Sequence, residues 1–138
     1  MRENSLSKAV ARYAADQSQA NYGKLMQEFF WTIVNNNNVY YVQYGTEMLG
    51  EDVPMPSIIE DGDGKKYAAI FSTKSDALVA SGADIIAIDA EKLVKAFIMT
   101  DIQGLVLDVE SGVNIVILNN YLVTMLHSVN TYRDSLGG

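Results

Sequence analysis

Residues 58–71 read IIEDGDGKKYAAIF, and this stretch decides the fold class. Two apolar runs, Ile58-Ile59 and residues 67–71, flank the polar sequence Asp61-Gly62-Asp63-Gly64. Asp-Gly pairs between apolar runs are typical of a β-hairpin, because glycine adopts positive φ without steric cost. The stretch therefore predicts two antiparallel strands, and the patterns on either side of it predict how helices surround them.

The segment before this hairpin predicts two helices and a strand. Residues 5–17 carry a modest apolar stripe at helical spacing, and residues 21–34 carry a broader one. Asn21 is placed to cap the second helix, because its side chain can accept a bond from an otherwise unpaired N–H. Four asparagines at 35–38 then end that helix, and the β-branched and aromatic run 39–44 predicts a strand.

Helices and strands alternate after the hairpin. A capping-box spacing at 73–76 predicts a short helix that ends near Gly82, and Asp89 and Asn119 are expected to cap two further amphipathic helices. A turn is predicted at 110–112. Apolar runs with the length of buried strands occur at 85–88, 104–107 and 114–118.

This order of elements predicts a single α+β domain over residues 1–138, a length that suits one domain. We expect a mixed or antiparallel sheet of about five to six strands packed with helices. A helical lead-in over 1–36 would precede an α+β core over 39–129. Residues 130–138 would form a tail.

The composition excludes several classes of function. Seventeen acidic and ten basic residues give a net charge of −7, which argues against a nucleic-acid or anionic-membrane binder. The chain has no cysteine and one histidine, so disulfides, thiolate zinc sites and histidine-rich metal sites are excluded. No apolar run approaches the roughly 20 residues of a membrane span, and the N-terminus lacks a signal-peptide core. A cytoplasmic protein is expected.

We expect no catalytic, cofactor-binding or metal-binding residues. Asp61 and Asp63 could begin a calcium loop, but Lys65 falls at the third ligand position and Ser72 where a bidentate glutamate is required, so a hairpin turn is favoured. His127 is expected at the surface or half-buried, since no Gly-x-Ser-x-Gly elbow supplies a nucleophile. Five further carboxylates lie at the ends of predicted elements: Asp84, Asp89, Asp101, Asp108 and Glu110. We predict that they cap helices and form turns. The alternative is that two of them share a pocket.

The segment 45–57 is the most informative for function. It reads as a long connection without secondary structure, and such loops are often functional. Its methionines suit an adaptable binding surface, and its acidic residues suit a basic protein partner. The alternative is a lid folded back over the core. The predicted partner-binding residues are Met48, Leu49, Val53, Met55 and Trp31. Trp31 points off the apolar face of its helix. If it were part of an exposed apolar patch, that patch would indicate a homodimer.

The order and spacing of these features resemble the SseB N-terminal domain family, a bacterial family named after an enhanced-serine-sensitivity protein. The resemblance rests on the proline, Asp-Gly turn and aromatic strand of 56–72, the Asp-x-x-x-Leu helix start at 89–93, and the segments 101–107 and 114–117. Family members often carry Asn-Pro where this chain has Asp108-Val109. The resemblance extends over most of this chain. In the family it concerns the N-terminal domain only. It implies an α+β fold and no catalytic residues.

Two functions from different classes fit these observations. The first is a non-enzymatic protein–protein interaction module, one form of which is an immunity-type protein that binds a basic toxin. The second is a small-ligand-binding domain, or an enzyme with a carboxylate or tyrosine pocket. The tyrosines that could line such a pocket lie on predicted strands: Tyr40, Tyr41, Tyr44 and Tyr67.

Overall fold

A computed structural model describes residues 5–73, 85–108 and 115–137, leaving aside the side chains of residues 44 and 45. Four helices and seven strands lie in these ranges. In chain order they are α1 (Ser5–Ala15), α2 (Gln19–Val34), β1 (Asn38–Gly50), β2 (Val53–Pro56), β3 (Ile58–Glu60), β4 (Lys66–Ile70), β5 (Ile85–Asp89), α3 (Ala90–Phe97), β6 (Gly104–Leu107), β7 (Ile115–Leu118) and α4 (Asn119–Gly137).

The strands form two sheets, with the orders β2-β1-β5 and β3-β4-β6-β7. Strand β1 pairs antiparallel with β5 through its first residues and antiparallel with β2 through its later ones. Strand β4 pairs antiparallel with β3 and parallel with β6, and β7 adds antiparallel to β6. The α+β class and the mixed pairing are therefore confirmed.

The two sheets are joined at Ser57, between β2 and β3. The Ser57 N–H donates to the Val42 carbonyl at 3.0 Å, and the Ser57 carbonyl accepts from the Ala69 N–H at 2.9 Å. An isolated bridge between Tyr40 and Phe71 adds a second link. The chain thus passes from pairing with β1 to pairing with β4, and the strands make one connected layer.

Helices α2, α3 and α4 supply apolar side chains to the core, as the predicted stripes require. The stripes place fully buried residues at helical spacing, because three or four residues separate neighbours on one helix face. Examples are Leu25, Phe29 and Ile33 on α2, Leu93 and Phe97 on α3, and Leu122 and Val129 on α4. Strand residues such as Leu105, Ile115 and Ile117 meet them from the sheet.

Several element ends differ from the sequence-based prediction. Helix α2 begins at Gln19 because Ser18, not Asn21, is its N-cap, and the Asn21 N–H donates to the Ser18 hydroxyl at 3.2 Å. Asp89 caps α3 as predicted, accepting from the Lys92 N–H. The Asn119 side chain instead donates to the carbonyls of Thr100 and Ile102, so it ties α4 to the preceding loop.

The residues predicted as a tail belong to α4, which continues to Gly137. Tyr132 packs edge-on against Trp31 at a centroid distance of 5.1 Å, which holds this end of α4 on α2. The predicted helix that ends near Gly82 and the predicted turn at 110–112 lie outside the described residues.

Candidate functional site

Segment 45–57 is mostly a β-hairpin, so the prediction of a long unstructured connection is wrong. Strand β1 continues to Gly50, residues 51 and 52 form the turn, and β2 follows. Gly50 pairs with Val53 and Met48 with Pro54, with irregular register between these pairs. Asp52 has a φ of 62°, a left-handed conformation that aspartate tolerates better than most residues.

The predicted partner-binding residues of this hairpin differ in exposure. Val53 is 2% exposed and belongs to the core, so it is not available to a partner. Leu49 and Met55 are half-buried, whereas Met48 is 50% exposed. The turn end of the hairpin lies on α3, because a Cβ placed on Gly50 would be 3.2 Å from the Ala96 Cβ. The segment therefore covers part of the core and also presents Met48 outward.

The exposed end of the hairpin is acidic. We call Glu47, Met48, Glu51 and Asp52 the hairpin tip, and all four side chains are exposed. Residues 44–57 contain no lysine or arginine. The hairpin tip therefore combines one apolar side chain with three carboxylates.

Trp31 does not join the hairpin tip in a common cavity. It is half-buried and packs edge-on against Phe30 and Tyr132, at 5.0 and 5.1 Å between ring centroids. It lines a cavity at the first residues of β1, whereas the hairpin tip lies at the other end of that strand. No residue of the hairpin tip lines this cavity, so the structure does not place Trp31 and Met48 in one site.

A network at the end of α2 was not anticipated from the sequence. The Arg133 guanidinium donates to the Glu91 carboxylate at 2.7 Å and to the carbonyls of Ile33 and Val34 at 3.2 and 2.9 Å. The Asn36 amide donates to Glu91 at 3.1 Å. These bonds satisfy carbonyls that a helix end leaves unpaired. The network binds α2, α3 and α4 together at the asparagine turn.

The charge of Glu91 is set by this network. Burial raises the pKa of Glu91, but the hydrogen bonds from Arg133, Lys95 and Asn36 together hold that pKa below its usual value. Lys95 lies 3.2 Å from the carboxylate on the same helix face. Glu91 is therefore an ionised structural group. The sequence offered one signal for it, an acidic residue in the first turn after the predicted cap Asp89.

The other asparagines of the turn line a cavity of 570 Å³. Asn35, Asn37 and Asn38 are exposed, and within the described residues their side-chain amides make no hydrogen bond. The wall also includes the aromatic side chains of Trp31 and Tyr40. We call this space the amide cavity.

The predicted carboxylates do not converge on a pocket among the described residues. Asp89 is a cap, Asp101 is exposed, and Asp108 is buried, accepting bonds from the Ser72 N–H at 2.6 Å and the Ser72 hydroxyl at 2.5 Å. Asp84 and Glu110 lie outside the described residues. Within the described ranges, no three His, Cys, Asp or Glu side chains are grouped so that they could hold a metal ion.

The remaining candidates have structural or surface positions. The Asp61 carboxylate accepts the N–H groups of Asp63 and Lys65, each at 2.9 Å, and the bond from Lys65 is the main cause of its lowered pKa. This confirms the predicted hairpin turn. His127 is exposed on α4. Tyr67 lies 3.4 Å from Asp61 at the surface.

Tyr41 is a core residue and not a pocket residue. It is fully buried, and its hydroxyl donates to the Pro54 carbonyl at 2.7 Å, which fixes β2 on β1. Burial raises the pKa of Tyr41 from 10.0 to about 12. Of the four predicted pocket tyrosines, Tyr40 lines a described cavity, and the side chain of Tyr44 is not described.

We expect the stability of the protein to fall at alkaline pH through Tyr41. The unfolded chain loses this phenolic proton near pH 10, whereas the folded chain keeps it to about pH 12, so the phenol stabilises fully below pH 10 and this contribution is lost above it. In the wild type this loss lowers the free energy of unfolding by about 1.4 kcal/mol per pH unit, and Tyr41→Phe should remove it. At neutral pH the same variant should lower the free energy of unfolding by about 1–2 kcal/mol, because the hydrogen bond to Pro54 is lost.

Urea denaturation at about pH 8 and about pH 11 measures both effects. Tyr40→Phe, one residue earlier on β1, is the matched control, and its free energy of unfolding should stay near that of the wild type at both pH values. Equal alkaline losses in the wild type and Tyr41→Phe would contradict this role.

No protein-family model, curated protein or solved structure compared with the chain matches it. No helix within residues 5–73, 85–108 and 115–137 is both long and apolar enough to cross a membrane.

Proposed function

We propose that this chain is a non-enzymatic protein–protein interaction module of the SseB N-terminal domain kind, from a bacterial cytoplasm. The observation that carries the proposal is the hairpin tip. There Met48 is 50% exposed and is accompanied by three exposed carboxylates with no basic residue in the same segment. A basic protein is the partner that fits this chemistry.

The hairpin tip is held by contacts of the residues beside its turn, which favours binding. Val53 is buried, the Tyr41 hydroxyl binds the Pro54 carbonyl, and Gly50 lies on Ala96 of α3. A preorganised surface loses little conformational entropy when a partner docks. Met48 would act as the apolar anchor at the centre of the contact.

The carboxylates of the hairpin tip would contribute mainly to the association rate. Acidic groups at the rim of an interface attract a basic partner through space, and salt screens this attraction. The net charge of −7 acts in the same direction. An immunity-type protein that neutralises a basic toxin is one form of this function.

The contact between Ser72 and Asp108 joins the Phe-Ser motif to a position where the chain departs from the family. Ser72 ends the Phe-Ser motif, and Asp108 occupies the position where family members often carry asparagine. The two residues are 36 apart in sequence, yet the Ser72 hydroxyl donates to the Asp108 carboxylate. An asparagine side-chain oxygen can accept the same bonds. The departure from the family at Asp108 therefore keeps an acceptor for the Ser72 hydroxyl.

The test uses two variants of the hairpin tip on a partner captured from the host lysate. Met48→Ala should weaken the affinity about tenfold or more, mainly through faster dissociation. Joint replacement of Glu47, Glu51 and Asp52 by their amides should slow association and flatten its salt dependence. Asp52→Asn keeps a residue that tolerates positive φ.

The controls match these changes elsewhere on the surface. Met99→Ala removes a methionine that is 84% exposed, and joint amide replacement of the exposed residues Asp16, Glu60 and Asp101 removes the same number of charges. Binding that is lost equally in the controls, or retained in both tip variants, would overturn the proposal. An empty capture experiment would also count against it.

A further inference from the structure

The four consecutive asparagines have two different roles. Asn36 has a φ of 54°, reverses the chain after α2 and donates to Glu91, so its identity is explained by the turn. A turn of this kind requires one residue in the left-handed region. The left-handed conformation does not explain Asn35, which is the C-cap of α2, or Asn37 and Asn38. All three line the amide cavity, and their side-chain amides make no hydrogen bond among the described residues.

The three cavity asparagines are held on a fixed backbone. The N–H groups of Asn35 and Asn37 donate to the carbonyls of Trp31 and Thr32, at 2.9 and 3.0 Å, and the Asn37 carbonyl accepts the Ala90 N–H at 2.9 Å. Asn38 pairs with Asp89 in the sheet. Amides on such a backbone are positioned before a ligand arrives, which reduces the entropy lost on binding.

The chemistry of the wall suits a ligand with many hydroxyl groups. A primary amide offers two N–H donors and a carbonyl acceptor on one planar group. Neighbouring hydroxyls of a sugar or polyol can both accept from and donate to such a group. Trp31 and Tyr40 add amphipathic aromatic surface, against which the C–H face of a sugar ring can pack.

The charges around the cavity favour a neutral ligand. The wall includes one basic and one acidic side chain, Lys8 and Glu28. A phosphate or carboxylate ligand would meet no excess of positive charge there. The volume of 570 Å³ lies within the roughly 300–1,000 Å³ of small-molecule sites.

We propose that the amide cavity, between α1, the end of α2 and the start of β1, is a binding site for a neutral mono- or disaccharide or a related polyol, held by the amides of Asn35, Asn37 and Asn38 against Trp31. The site shares no residue with the hairpin tip. A sugar bound here would leave the proposed protein-binding surface open.

Trp31 supplies a direct readout, because it is the single tryptophan of the chain and lies in the cavity wall. Its fluorescence would be titrated with glucose, galactose, mannose, maltose, sucrose, myo-inositol and sorbitol. Glucose 6-phosphate and gluconate serve as anionic probes. At least one neutral probe should give a saturable change, and the anionic probes should bind at least tenfold more weakly than the best neutral one.

Variants connect the signal to the amides. Asn35→Ala/Asn37→Ala should weaken binding of the best neutral probe at least tenfold, whereas Asn130→Ala, at an exposed position on α4, should bind like the wild type. Circular dichroism and a thermal melt check that the double variant is folded, and isothermal calorimetry on the same proteins provides a readout without the tryptophan.

Three outcomes would overturn this assignment. They are the absence of a saturable response to every neutral probe, equal or tighter binding of the anionic probes, and unchanged affinity in the folded double variant. Met48→Ala tests the amide cavity and the hairpin tip independently. It should keep the sugar response even if it loses the protein partner, so the two proposals can fail separately.

Discussion

Replacing Gly104 with alanine is expected to lower the free energy of unfolding by about 2–3 kcal/mol, the upper range for added volume in a packed core. A Cβ on Gly104 would lie 2.6 Å from the Ile117 carbonyl oxygen and 3.1 Å from the Leu118 Cα. Both atoms belong to the backbone of β7, so a side-chain rotation cannot relieve the contact. Gly104 also pairs with Tyr67 of β4, which limits movement in the other direction.

Gly23→Ala is the matched control for this change. Gly23 lies exposed within α2, and a Cβ there would meet no atom within 4 Å. Alanine is favoured over glycine in a helix by about 1 kcal/mol, so this variant should be more stable than the wild type. Urea denaturation followed by Trp31 fluorescence measures both. A neutral Gly104→Ala would contradict the close packing of β6 on β7.

Local signals explain why much of the fold could be predicted from the sequence. The Asp-Gly turn between two apolar runs identified β3 and β4, and the Asp61 carboxylate holds that turn through backbone N–H groups. Asp89 capped its helix as expected. In each case the decisive interaction joins residues within a few positions of each other.

The hairpin of β1 and β2 was missed because its sequence signals conflict. Pro54 and Pro56 are unfavourable within a strand, since proline has no N–H to donate. Here they lie in a four-residue strand with irregular register, and β2 is an edge of its sheet. The bond from the Tyr41 hydroxyl to the Pro54 carbonyl also helps to hold the strand. The apolar pattern of residues 53–56 does not show that the Tyr41 hydroxyl would bind this strand.

The candidate sites were only partly accessible to sequence reasoning. The exposure of Met48 and the acidic character of its segment could be anticipated from composition, but the burial of Val53 depends on how the hairpin lies on α3. The asparagine run correctly predicted the end of a helix. Its second role, as the wall of a cavity with Trp31, depends on the position of α1 and β1 around it.

The largest omission was the network of Glu91 and Arg133, which are 42 residues apart. Arg133 fell within the predicted tail, because the apolar stripe of α4 weakens after Val129. Once α4 continues to Gly137, Arg133 reaches the end of α2. The polar contacts of Arg133 therefore hold this end of α4 together with the aromatic packing of Tyr132 on Trp31.

Arg133→Met is expected to lower the free energy of unfolding by about 2 kcal/mol at neutral pH, since it removes a charged partner from a largely buried carboxylate. The Val34 carbonyl loses its side-chain donor at the same time, whereas the Ile33 carbonyl keeps the bond from the Asn36 N–H. This loss of stability is smaller than the loss expected on breaking a fully buried ion pair, because the Arg133 side chain is 32% exposed. Arg12→Met removes the same charge from an exposed position on α1 and should be nearly neutral.

The pH dependence of this effect tests its electrostatic origin. Because the pKa of Glu91 is held below the usual 4.5, its ionised form stabilises the fold fully above that pH, and this contribution is lost as the pH falls through the folded pKa. The difference in free energy of unfolding between the wild type and Arg133→Met should therefore become smaller at acidic pH. A double-mutant cycle with Glu91→Gln, measured by urea denaturation at about pH 7, gives the coupling directly. A coupling near zero, or an Arg133→Met variant as stable as Arg12→Met, would show that the asparagine turn is held without the ion pair.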